Sequence, residues 1–111
     1  MVVHKTPNRH AKQYVHTKRN FIGSNLMGQW HSSGVYVVYS YGHHFPIWVY
    51  DAIGGWFGNM DKYSRTTSKH QSQTYPDADI HWLHTDALLY LVKLGYKQVV
   101  TNRVLHGVKY D

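Results

Sequence analysis

The chain changes its hydrophobic rhythm along its length. From residue 33 to 42 the run SGVYVVYSYG is β-branched and aromatic and is bounded by glycines, which predicts a strand. Both faces of that strand are apolar or aromatic, so it is either covered on both sides or part of a sheet with a ring-lined second face. FPIWVYD, residues 45–51, predicts a second strand with its proline near the start, where a missing N–H is tolerated. The short connection between them favours an antiparallel hairpin, and AIGG turns the chain again into WFGN, residues 56–59. Together the three runs read as a meander.

Further on, HTDALLYLVKLGYKQVV shows helical spacing. Thr85 suits the N-cap, Asp86 the first turn and Gly95 the C-cap, and Ala87, Leu88, Leu91, Val92 and Leu94 form one apolar stripe with Lys93 outside it. The closing QVVTNRVLHGVKYD is rich in β-branched residues and predicts an added edge strand. Before the meander, Gly23 and Gly28 bracket Ser24 and Asn25, a chemistry for one short capped turn. Residues 1–20 show no clean period and read as a basic N-terminal arm ahead of a single domain at 21–111. The expected fold is α+β: a small antiparallel β-meander of three or more strands with helices packed on one face.

Between the meander and the last helix lies DKYSRTTSKHQSQTYP, residues 61–76, without one aliphatic side chain. Ser64 or Thr66 can cap a short helix running to about Gln73, with Pro76 as a stop. Thr66, Thr67, His70 and Gln73 or Thr74 then share one face, and Arg65, Lys69 and Ser72 another. Neither face is apolar enough to bury against a hydrophobic core, so such a helix is marginal unless its polar face is bonded to something.

Composition narrows the class. A chain of 111 residues is one domain's worth, and ten Tyr, four Trp and three Phe give it a core built largely of rings. Cysteine is absent, which removes disulfides, thiolate metal sites and a thiol nucleophile. No apolar run approaches the roughly 18 residues that span a bilayer, and the first twenty residues lack the apolar stretch of a secretory signal; a soluble, intracellular protein is expected.

Charge is placed unevenly. There is no Glu, and the first acidic residue is Asp51, so Lys5, Arg9, Lys12, Lys18 and Arg19 give residues 1–50 a net charge of +5, against +1 for residues 51–111. A basic stretch of this kind, with His4, His10 and His16 interleaved, suits a polyanion; the ordinary alternative is a solvated basic tail. The hydrophilic segment adds Lys62, Arg65 and Lys69, the hydroxyls of Ser64, Thr66, Thr67 and Ser68, and N–H groups freed at a helix start, which together can cradle phosphate. Tyr63, Tyr75 and the ring-rich strands nearby offer stacking faces to bases. The competing reading is a polar turn whose hydroxyls and amides satisfy one another, with His70 as a structural bridge.

Two kinds of chemistry are open. A metal-free phosphodiesterase needs two imidazoles, or one with Lys or Tyr, about a phosphate, and His43 or His44 with His70 and Lys69 is the one combination available. Asp77, Asp79, His81, His84 and Asp86 fall within ten residues, but without cysteine or an HExxH pattern a loop leading into a helix cap explains them equally, and no metal or cofactor is expected. No GxSxG, Walker or GxGxxG motif occurs.

The combination YVVYSYGHHFPIWVYD, GWFGN and DKYSRTTSKHQSQ, with the helix ending at Gly95, resembles a family of small uncharacterised proteins encoded by bacteriophages, plasmids and their hosts. The resemblance covers roughly residues 20–95 and implies a domain of unknown function in a phage or mobile-element setting, cytoplasmic in the host or virion-associated. It implies that Ser40, Tyr41, Gly42, His44, Pro46, Asn59, Tyr63, Ser64, Thr66, Thr67, Ser68, His70 and Gln71 occupy the family's characteristic positions. The basic arm lies outside it.

The expectation is therefore a non-enzymatic accessory module that binds a polyanion, nucleic acid foremost. Its binding residues are Lys18, Arg19, Tyr41, His43, His44, Lys62, Tyr63, Ser64, Arg65, Thr66, Thr67, Ser68, Lys69, His70 and Gln71. The alternatives are a protein that docks a host factor or virion component through exposed Tyr and Trp, and a histidine-dependent nuclease.

Overall fold

The run that is apolar on both faces becomes the middle strand of a seven-stranded sheet. The computed structural model describes residues 4–43, 45–62 and 64–105, the last five of these as helix backbone. The strands lie side by side in chain order: β1 (His4–Lys5), β2 (Phe21–Ile22), β3 (Leu26–Trp30), β4 (Val35–Ser40), β5 (Pro46–Asp51), β6 (Gly55–Asn59) and β7 (Ile80–Leu83). From β2 to β6 neighbouring strands pair antiparallel, whereas β1 joins β2 and β7 joins β6 in parallel. Both parallel pairs need a crossover, and these carry the helices α1 (Ala11–His16) and α2 (Arg65–Gln73). α3 (Thr85–Leu94) and α4 (Tyr96–Leu105) follow β7.

The α+β content is as expected, but the helices pack on both faces of the sheet instead of one. All six residues of β4 are buried, so each face requires a cover. Tyr36 and Val38 share a cluster with Ala11 and Val15 of α1, on the first face of the sheet. Val35, Val37 and Tyr39 share the other cluster with Leu88 and Leu91 of α3, on the second face. On the first face Gly58 lies opposite both Trp48 and Trp82, and a Cβ at Gly58 would come within 2.7 Å of both indoles. The missing side chain is what lets the two rings approach, 5.7 Å between centroids.

Four segments depart from expectation. The stretch taken as a basic arm is folded from residue 4 onward: β1 extends the sheet, and Ala11 and Val15, one helical turn apart, are fully buried. The glycine-bracketed segment at 21–30 is the hairpin β2–β3, with Gly28 making room for the Phe21 ring. IHWL, read as a loop, is β7. The β-branched C-terminal stretch is α4 as far as Leu105, because the Asp51 carboxylate accepts the Tyr96 N–H at 3.0 Å and so caps a helix start from 45 positions away; residues 106–111 of that stretch lie outside the described residues.

Candidate functional site

α2 begins where the sequence places it. Ser64, in extended conformation, is its N-cap, and the Ser64 Oγ accepts the Thr67 N–H at 3.1 Å. The helix lies on the first face with a polar underside that the sheet satisfies. Ser40 Oγ meets His70 Nδ1 at 2.8 Å and donates to Thr67 Oγ1 at 3.4 Å. Gln71 Nε2 donates to the Asn59 carbonyl at 3.0 Å, and the Trp48 Nε1–H donates to Thr74 Oγ1 at 3.0 Å. Thr74 Oγ1 in turn donates to the His70 carbonyl. A helix with no apolar face is thus held by hydrogen bonds to strand groups, each contributing about 1 kcal/mol net and costing more if left unpaired.

This arrangement divides the expected binding residues. Thr67, His70 and, in large part, Gln71 are used internally, while Lys62, Ser64, Arg65, Thr66, Ser68 and Lys69 face solvent. The phosphate cradle expected at the helix start is partly filled by the Ser64 hydroxyl itself. Among the described residues, no carboxylate pairs with Lys62, Arg65 or Lys69. His44 and Tyr63 lie outside the described residues.

Lys18 and Arg19 occupy the same layer but its other end. Tyr36 at the start of β4 donates its hydroxyl to the Arg19 carbonyl at 2.7 Å, whereas α2 is bonded to Ser40 at the end of β4. Four residue steps along the strand separate those anchors by about 13 Å. The Lys18 ammonium stands 4.4 Å from the Tyr50 ring centre, and the Arg19 guanidinium 4.6 Å from that of Tyr14. Between the two ends, the 3-10 turn at Asn8–His10 packs on α2, and His16 of α1 approaches the Tyr75 carbonyl at 3.3 Å. Lys12 and His16 share Asp77 at 3.1 Å each.

The histidines do not assemble as a phosphodiesterase requires. His43 Nε2 bonds Gln29 Oε1 at 3.0 Å, and its ring rests on Tyr39, a second-face residue, while His70 lies beneath α2 on the first face. The sheet separates them. Ser40 and His70 form a hydroxyl–imidazole pair, but they are 1% and 3% exposed, sealed from any substrate. Burial, and then the neighbouring Lys69 charge, hold the His70 pKa below its usual 6.5. Burial, and then His43, do the same for His31, which meets the Tyr39 hydroxyl at 2.9 Å.

In the segment from Asp77 to Asp86, His81 packs on Phe57, and His84 Nδ1 meets Asp61 Oδ1 at 2.6 Å. Among the described residues, no three metal-ligating side chains converge. Asp61, unremarkable in the sequence, accepts the N–H and the hydroxyl of Thr85 at 2.8 and 2.7 Å and thereby caps α3; these bonds and His84 lower its pKa to about 2. His84, not Thr85, is the N-cap residue by backbone position.

Fold and site define a small α+β domain in which a cationic helical layer is hydrogen-bonded onto an aromatic sheet. The chain belongs to a family of unknown function, DUF8033, whose model matches residues 8–79. That span takes in α1, α2 and strands β2 to β6, and it includes most of the stretch expected to be an arm outside the family. No curated protein and no solved structure matches the chain. Among the described residues, no helix is long and apolar enough to cross a membrane.

Proposed function

We propose that the α1–α2 layer binds a polyanion, and that the polyanion is nucleic acid. One observation carries the reading. Residues 4–20 and 62–76, which supply α1, the turn before it and α2, contain eight of the twelve Lys and Arg and none of the six Asp. These two stretches are far apart in sequence but are neighbours on one face of the sheet. Asp77 offsets Lys12 and His16 on this layer, but the cations still outnumber it, and such an excess attracts phosphates at long range and binds them by releasing condensed counterions.

Lys18, Arg19, Lys62, Arg65 and Lys69 are the phosphate contacts in this reading, with Thr66 and Ser68 as neutral donors beside them. His70, Thr67 and Gln71 position α2 and do not touch the ligand. No catalytic step is assigned, since the Ser40–His70 pair is enclosed. An accessory role in a phage or plasmid setting is compatible with a small basic module of this kind and is part of the proposal.

The test is titration of a labelled oligonucleotide at increasing salt. Binding should weaken with a log–log slope of about −0.9 per phosphate contacted on a duplex. Failure to bind at low salt, or a salt-insensitive complex with a protein instead, contradicts the reading.

A further inference from the structure

Tyr41 breaks the alternation of β4. Ser40 faces α2 on the first face, so the following side chain in a regular strand would point to the second. Instead Tyr41 has a φ of +60°, in the left-handed region that side chains other than Asn and Asp seldom enter. Its N–H is held by the Asn25 carbonyl at 2.9 Å. The outcome is a ring on the first face, 5.4 Å from the His70 ring and 47% exposed, beside the cations of α2.

Trp30 stands at the opposite end of the layer. It packs on Tyr36, donates its Nε1–H to the Lys18 carbonyl at 2.6 Å, and is 36% exposed. Trp82, 47% exposed, leans on Trp48 on the same face. Of the four exposed Trp and Tyr rings among the described residues, three share the cationic face, and Tyr90 of α3 is the fourth.

Phosphate contacts alone suffice for a duplex, whose bases are stacked away from the protein. Rings that are fixed by neighbours, exposed and set among cations serve a strand whose bases are free to stack. Resting on the polyanion reading above, we infer that the ligand is single-stranded nucleic acid, with Tyr41 as a base-stacking platform and Trp30 and Trp82 flanking it.

The experiment compares a labelled single-stranded homothymidine oligonucleotide of about 16 nucleotides with a duplex of equal length at one salt concentration. The proteins are the wild type, Tyr41→Asn, Tyr41→Phe and Trp30→Ala. Asparagine tolerates the left-handed backbone, so Tyr41→Asn removes the ring without disturbing the turn. The expected result is tighter binding of the single strand, a loss of about tenfold for Tyr41→Asn on the single strand only, and retention by Tyr41→Phe. Duplex bound as tightly as single strand, or an unchanged Tyr41→Asn, overturns the inference and leaves the polyanion reading standing. Binding of neither polymer by the wild type overturns both.

Discussion

Ser40 Oγ and His70 Nδ1 lie 2.8 Å apart in a site almost closed to water, and their contact ties the hydrophilic helix α2 to the central strand. Ser40→Ala leaves the imidazole nitrogen and the Thr67 hydroxyl short of a partner. The expected cost is about 1–3 kcal/mol, which lowers the melting temperature by about 4–8 °C per kcal/mol in a domain of this size. Circular dichroism melting checks it; an unchanged midpoint means α2 is not anchored there.

Acid should weaken the fold in two stages. His70 and His31 both have folded pKa values below 6.5, so the unfolded chain takes up their protons first. The stability they contribute is complete above 6.5 and falls as pH drops through their lower folded values. Asp61, depressed from 3.8 to about 2, contributes stability that is complete above 3.8 and is lost as pH falls through about 2. Melting temperatures followed from neutral pH downward should show both declines, and His70→Gln, which cannot titrate, should diminish the first. An equal first decline in that variant contradicts the assignment.

Gly58→Ala tests the packing of the first face. The added methyl would sit 2.7 Å from both Trp48 and Trp82 and 2.9 Å from Ile80, forcing the indoles apart. A loss of about 1–3 kcal/mol is expected, with a change in tryptophan emission as Trp82 becomes more exposed. A variant with wild-type stability and emission would show that the rings have room to spare.

The parts of the fold that could be read in the sequence are those with local signals. VYVVYS and PIWVYD carry dense β-branched and aromatic runs, α3 has a full apolar stripe, and Ser64 marks the start of α2. The rest depended on distant partners. A two-residue strand such as β1 or β2 has no period to detect. Ala11 and Val15 are two buried positions among cations and amides, too few to announce a helix. α4 overrides its β-branched composition through Asp51, and α3 takes its cap from Asp61.

The candidate site shows the same limit. The spacing of Arg65 and Lys69 correctly puts them on an outer face, and a helix lacking an apolar side correctly needs polar bonding. The identity of the bonding groups, Ser40, Trp48 Nε1 and the Asn59 carbonyl, comes from strands 12 to 30 positions away. His43 and His70 look like a pair only until the sheet is placed between them.

The central claim is that the α1–α2 face, and not the opposite one, neutralises phosphates. Arg65→Ala/Lys69→Ala and Lys93→Ala/Lys97→Ala each remove two exposed cations, the first pair from α2 and the second from the helices of the second face. The measurement is the salt dependence of oligonucleotide affinity for both variants and the wild type. The α2 variant should lose about 1.8 from the magnitude of the duplex log–log slope, at 0.9 for each contact, while the α3–α4 variant keeps the wild-type slope. Equal losses in the two variants, or none in the first, would contradict the account.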